Sequence, residues 1–233
     1  ARSAAMAEEE GVVGALALRH DTEKLEQVHL DWTLDVSLDE DAVDGPQVLS
    51  PFLPSQPPAI EALLQLLPWS PGDVLLDVGC GDGRVLTSMT LAKGCRGVGV
   101  DVSPDCIDAA NAMWDEEAAR TSKDRESLAF VLGDCVVDRK LLPRLTDVHH
   151  VTVCYLYIYP TLLKSIRPDL EDLSRERQVR IVTAGYHFDD WPVERAVSYD
   201  GSIHSGGGGG GSESESSTHK RRDHEVRLLE PLS

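Results

Sequence analysis

Positive charge is scarce in this sequence. Its 233 residues carry 22 Lys and Arg against 40 Asp and Glu, a net charge of −18. Phosphate backbones and anionic lipid are gripped largely by Lys and Arg, so nucleic acid is not an expected partner, whereas a basic protein or a cationic small molecule fits. The deficit is concentrated at the start, where residues 1–50 hold 12 acidic residues and 3 basic ones. No run approaches the ~20 apolar residues of a membrane-spanning helix. Glu8, Glu9 and Glu10 argue against a secretory signal or an Arg-rich transit peptide. Cysteine is limited to Cys80, Cys95, Cys106, Cys135 and Cys154, an odd number never spaced as a CxxC pair. That pattern predicts reduced thiols, an intracellular and preferably cytoplasmic location, and no metal site. A mitochondrial location would need a segment upstream of Ala1. Nothing in the sequence speaks to oligomeric state.

What is present is an alternation of short apolar runs with helical periodicity. Strands are expected at 73–78, 97–101, 128–132, 149–155, 179–184, 193–199 and 225–229. Helices are expected at 59–67, 85–93, 104–120 and 162–173, the last kinked or divided by Pro168. Unbroken Val74-Leu75-Leu76 suits a strand buried on both faces. The order predicts an α/β fold, a mostly parallel sheet with one antiparallel strand and a terminal hairpin. Residues 1–50 read as an acidic extension, partly disordered or folding over the site as a lid. Residues 51–233 read as one domain, with a flexible Gly/Ser-rich insertion at 205–217.

The chain is organised around Asp77-Val78-Gly79-Cys80-Gly81-Asp82-Gly83-Arg84, a glycine turn between a strand and a helix. Such a turn brings backbone N–H groups to a ligand across the strand's carboxyl end. Its glycines spell G-x-G-x-G, and Arg84 stands where the dinucleotide fingerprint needs its last glycine, which disfavours NAD. No Walker lysine follows. Asp101 ends the next strand and is placed to accept from a ribose diol, while Asp134, after the third strand, is placed to accept from an adenine amino group. Asp77 and the turn would face a charged amino-acid tail. Three carboxylates without a phosphate clamp suit a nucleoside that carries positive charge, as a sulfonium does.

These motifs, 73–83, 97–101 and 130–134, resemble the successive cofactor motifs of class I S-adenosylmethionine-dependent methyltransferases. The resemblance implies a Rossmann-like seven-stranded sheet and cofactor-binding roles for Asp77, Gly79, Cys80, Gly81, Gly83, Asp101, Val102, Asp134, Cys135 and Tyr155. Cys80 and Cys135 read as packing residues rather than reactive thiols. Pro51 to Ser55, Leu156 to Pro160, Ile166 to Leu170 and Asp190-Trp191 resemble one subfamily more closely. It contains the small protein-lysine methyltransferases acting on the mitochondrial adenine nucleotide translocase and the ATP synthase c subunit. That resemblance implies lysine N-methylation of a protein substrate, with S-adenosylhomocysteine as product. A small cationic acceptor, or a methyltransferase-like module that binds without turnover, are the competing readings. Tyr155, Tyr157 and Tyr159 would share one face of the fourth strand if it continues that far, and Tyr157 and Tyr159 are the candidates for positioning the acceptor amine. Phe52, Ser55, His187 and Trp191 are candidate walls of the acceptor pocket.

Overall fold

A computed structural model describes residues 53–199 and 224–232. The acidic extension, Phe52 and the Gly/Ser-rich insertion lie outside the described residues.

Helix α1 (Pro57–Leu66) opens on two prolines and buries Ile60, Leu63, Leu64 and Leu66. Its end is fixed by the Trp69 indole, which donates to the Leu63 carbonyl at 2.9 Å. Strand β1 (Val74–Val78) is buried along its whole length. Helix α2 (Arg84–Lys93) follows, closed by Gly94 in the left-handed region, whose N–H reaches Thr90 O. Strand β2 (Arg96–Asp101) leads to α3 (Pro104–Thr121), capped by the Ser103 hydroxyl accepting from Cys106 N. Then come β3 (Leu128–Leu132), α4 (Leu141–His149), β4 (Val153–Leu156), α5 (Pro160–Arg177), β5 (Arg180–Ala184), β6 (Val193–Ser198) and β7 (Glu225–Leu229).

The seven strands form one sheet in the order β3-β2-β1-β4-β5-β7-β6. The first five are parallel, and β7 runs antiparallel to both neighbours. The antiparallel strand is thus β7, inserted between β5 and β6, while β6 runs in the sense of the parallel set. Alternation along β1 splits the core. Leu75 faces α1, α2 and α3, together with Tyr155, Val182 and Leu228, whereas Val74, Leu76 and Val78 face α4 and α5 with Cys154 and Leu156.

Three expectations are corrected. The fourth strand begins at Val153 rather than at 149, because His149 completes α4 and His150 caps it in the left-handed region, donating its N–H to Thr146 O. Helix α5 runs unbroken through Pro168. The proline forgoes one backbone bond, but Ile166, Leu170 and Leu173 anchor both halves to the core, and Arg139 donates to the Ser165 carbonyl at 2.7 Å. Strand β6, whose alternation over 193–199 reads as half-exposed, is exposed nearly throughout, with only Val197 half-buried, because it is an edge strand with a bulge between Val193 and Arg195.

At the amino edge of the sheet, Asp73 joins β1, β4 and β5. It accepts from Ser70 N at 2.8 Å and from the Thr152 hydroxyl at 3.0 Å, and it pairs with Arg180. The opposite, carboxyl edge is left for the site.

Candidate functional site

Gly79, Gly81 and Gly83 all have positive φ, 76°, 53° and 76°, which lets the chain turn sharply after β1. Gly79 N and Cys80 N both donate to Val100 O, at 2.8 and 3.1 Å, lashing the turn to β2. At Gly83 a side chain has no room, since a Cβ would stand 2.8 Å from the Phe130 ring and 2.9 Å from Ala110.

Asp101 clamps the site from β2. Its Oδ2 accepts from Gly81 N and its Oδ1 from Ser103 N, both at 2.9 Å, so one carboxylate fixes the glycine turn and the entry to α3. Its own carbonyl accepts from Gly133 N at 2.9 Å, which ties in the loop after β3. In that loop Asp134 is exposed, and its Oδ1 accepts from Val136 N and Val137 N at 2.8 and 3.1 Å. Asp77 sits inside this ring, 2% exposed, with Gly99 of β2 on one side and Tyr155 of β4 on the other. Burial, then the charges of Asp101 and Asp82, push its carboxyl up to about 8. Asp82 is buried too and accepts from the Arg84 guanidinium through both oxygens, the closest contact being 2.8 Å.

Val102, Leu132 and Val137 are strongly exposed, at 62%, 56% and 82%, and all three follow or end strands β2 and β3. Exposed aliphatic side chains gathered beside a carboxylate at a sheet's carboxyl edge suit a flat, partly apolar ligand. Of these three, sequence reasoning found only Val102. Leu132 read only as the last residue of a strand, and Val137 carried no signal. Asp82 and Arg84 were also missed as a pair; their i, i+2 spacing within the turn was the available clue.

On the acceptor side, Tyr155 is wholly buried and its hydroxyl lies 3.5 Å from Ser55 Oγ, linking β4 to the segment ahead of α1. Tyr157 is half-buried and packs toward the same layer. Tyr159 departs from the expected shared face. Strand β4 ends at Leu156, so Tyr159 becomes the cap of α5 and packs against Tyr186, ring centroids 5.1 Å apart. Tyr186 was not foreseen; it enters through a turn at Gly185, where φ is 70°. His187 is buried, with Nδ1 2.7 Å from the Thr183 hydroxyl.

Trp191 packs into the core. It is 3% exposed, its indole donates to Glu230 O at 3.0 Å, and its ring packs on Phe188 beneath the Arg167 guanidinium. Cys80 and Cys135 are buried, and burial pushes every one of the five thiols up, which leaves no activated nucleophile among them. Among the described residues no group of His, Cys, Asp and Glu is placed to hold a metal, and no helix is long and apolar enough to cross a membrane.

Comparison with known proteins places this geometry. The family described as "Methionine biosynthesis protein MetW" matches residues 60–114, less than half of the chain. A protein-lysine N-methyltransferase of Saccharolobus islandicus is 24% identical over 161 residues, 66% of this chain and 88% of the relative. An uncharacterized methyltransferase of Schizosaccharomyces pombe is 52% identical over 44 residues, which is 19% of this chain and 16% of that protein. Among solved structures, an RNA methyltransferase from Salinibacter ruber in complex with S-adenosyl-L-homocysteine superposes with a TM-score of 0.51 at 26% identity, covering 64% of this chain and 88% of that one. With matches that span 88% of the length of each of these two methyltransferases, one of them crystallised with S-adenosyl-L-homocysteine, the chain is an S-adenosylmethionine-dependent methyltransferase of the class I fold.

Proposed function

We propose that the protein methylates the side-chain amine of a lysine in a protein substrate. The observation that carries this reading is the acceptor side of the site. There Tyr157, Tyr159 and Tyr186 surround the carboxyl ends of β4 and β5, next to the buried Tyr155–Ser55 pair. Aromatic faces and hydroxyls hold an amine by cation–π contact and hydrogen bonding. The likeness over two thirds of the chain to a protein-lysine N-methyltransferase and the net charge of −18, which favours a basic protein over RNA, support the same acceptor.

The residues fit the cofactor. Asp77 is a buried carboxyl with no hydrogen-bond partner among the described residues, near the end of the strand that leads into the glycine turn. Asp101 would accept from the ribose diol, and Asp134 through Oδ2 from the adenine amino group. Val102, Leu132 and Val137 would pack on the base, and Asp77 would meet the amine of the amino-acid tail. When bound, S-adenosylmethionine supplies an electrophilic methyl group on a sulfonium. The chain's own residues position the acceptor nitrogen in line with that group and exclude water. The acceptor must shed a proton before attack, and in this reading the Tyr157 and Tyr159 hydroxyls pass it to solvent. Buried thiols suit an intracellular compartment.

The test is incubation of the full chain with radiolabelled cofactor and a host-cell extract, followed by separation of protein, RNA and small-molecule fractions. Label is expected in protein and, after acid hydrolysis, in methylated lysine. Label confined to small molecules or RNA would reject the lysine acceptor.

A further inference from the structure

Among the carboxylates of the site, only Asp77 has no bonded partner among the described residues. Asp82 is held by Arg84, both oxygens of Asp101 accept backbone N–H groups, and Asp134 accepts two more. Asp77 is 2% exposed. The titratable groups near it are acids on every side. They are Asp101 at the end of β2, Asp82 and Cys80 in the glycine turn, and Cys154 and Tyr155 on β4. The turn's own cation, Arg84, is bonded to Asp82 through Nε and Nη2. An ionised Asp77 would therefore be buried beside the carboxylates of Asp101 and Asp82 with no counter-charge of its own, and burial first, then those two charges, push its carboxyl up to about 8.

We infer that Asp77 is a proton-releasing counter-charge, neutral in the empty site and ionised when the cationic amine of the cofactor's amino-acid tail docks over the glycine turn. On docking, the Asp77 O–H bond breaks, the proton passes to solvent, and the carboxylate pairs with the ammonium. This rests on the cofactor reading above and adds a selectivity to it. A ligand with the amine drives the ionisation, and the adenosine part alone does not. Affinity for the amine-bearing ligand then rises with pH, about tenfold per unit well below the titration, while that of an amine-free analogue stays flat.

Calorimetry on the full chain tests this with two probes, S-adenosylhomocysteine and 5′-methylthioadenosine, which lacks the amino-acid tail. Each is titrated near neutral pH in phosphate and in Tris, buffers whose ionisation enthalpies differ, so that the protons released can be counted. S-adenosylhomocysteine is expected to release about one proton more from the wild type than from Asp77→Asn. 5′-Methylthioadenosine is expected to release none from either and to bind the variant as it binds the wild type, which shows that the variant is folded. Equal proton counts in wild type and variant would overturn the inference. If the variant does not fold, the wild type alone decides, and parallel pH profiles for the two probes would overturn it. Should neither probe bind the wild type, the cofactor reading itself fails and the inference falls with it.

Discussion

Asp77 on β1 and Tyr155 on β4 are register partners at the centre of the sheet, both buried, both on the face covered by α1, α2 and α3. Burial raises both acids, and the Asp77 carboxylate adds to the cost of ionising Tyr155. The pair joins two parts of the carboxyl edge, since Asp77 leads to the glycine turn and the Tyr155 hydroxyl lies 3.5 Å from Ser55 Oγ.

Asp77 makes the empty protein less stable as pH rises. Unfolded, the carboxyl ionises near 3.8; folded, it keeps its proton up to about 8. Between these values the folded state binds more protons, so stability declines with increasing pH, by at most about 1.4 kcal/mol per unit. Asp77→Asn should match the wild type in Tm near the bottom of that window and exceed it by a growing margin toward the top. Calorimetric scans without ligand check this, and parallel curves would reject it.

Asp101→Ala should weaken S-adenosylhomocysteine binding by about 1.5 to 3 kcal/mol, or ten- to a hundredfold, as loss of a charged acceptor does. It should also lower Tm, because Gly81 N and Ser103 N lose their acceptor. Titration calorimetry and a thermal melt report the two effects separately.

Gly99→Ala should destabilise the fold by roughly 1 to 3 kcal/mol, the usual cost of overpacking. A Cβ there would stand 2.7 Å from Cys80 Sγ and 2.9 Å from Phe130, in the space between β2 and the glycine turn. Urea denaturation followed by circular dichroism measures the loss, and an unchanged midpoint would show that the turn yields more easily than its packing implies.

Tyr157→Ala should lower kcat/KM for a lysine acceptor by about 2- to 30-fold, equivalent to 0.5 to 2 kcal/mol of cation–π attraction. S-adenosylhomocysteine affinity should stay within twofold. A fall in cofactor affinity of the same size would place Tyr157 on the cofactor side instead.

Arg180→Ala should raise the pH at which the protein unfolds in acid. Burial works to raise the Asp73 carboxyl, but the Ser70 N–H, Thr152 and Arg180 outweigh it and hold it below its ordinary value. A lowered carboxyl contributes stability above 3.8 that is lost as pH falls through its folded value. Removing Arg180 shrinks that contribution, and acid titration monitored by fluorescence reads the shift. Cofactor binding at neutral pH should be unchanged, since the cluster lies at the opposite edge of the sheet.

The buried strands and the glycine turn were legible because both are written locally. Val74 to Val78 is an apolar run around one acid, and the three glycines occupy the positions where φ is positive. Helix α5 was harder to read, since Pro168 signals a break that only the long-range burial of Ile166, Leu170 and Leu173 overrides. Tyr159 shows the same limit. Its spacing from Tyr155 fits one face of a strand, but whether a strand continues past Leu156 depends on its neighbours, and here α5 begins instead. Tyr186 and Trp191 show a related limit, because how far a residue just past β5 is buried, and against what, depends on what the loop packs on. Periodicity does not encode that choice.

The place of β7 has a consequence for how the protein is made. Strand β6 hydrogen-bonds to β7 and not to β5, so residues 193–198 have no sheet to join until 225–229 have left the ribosome. Five strands can assemble in the order of synthesis, but β6, made before β7, has a place in the sheet only once β7 is there. A chain cut short before Glu225 would retain the glycine turn while leaving the edge of β5 bare and open to pairing with another copy.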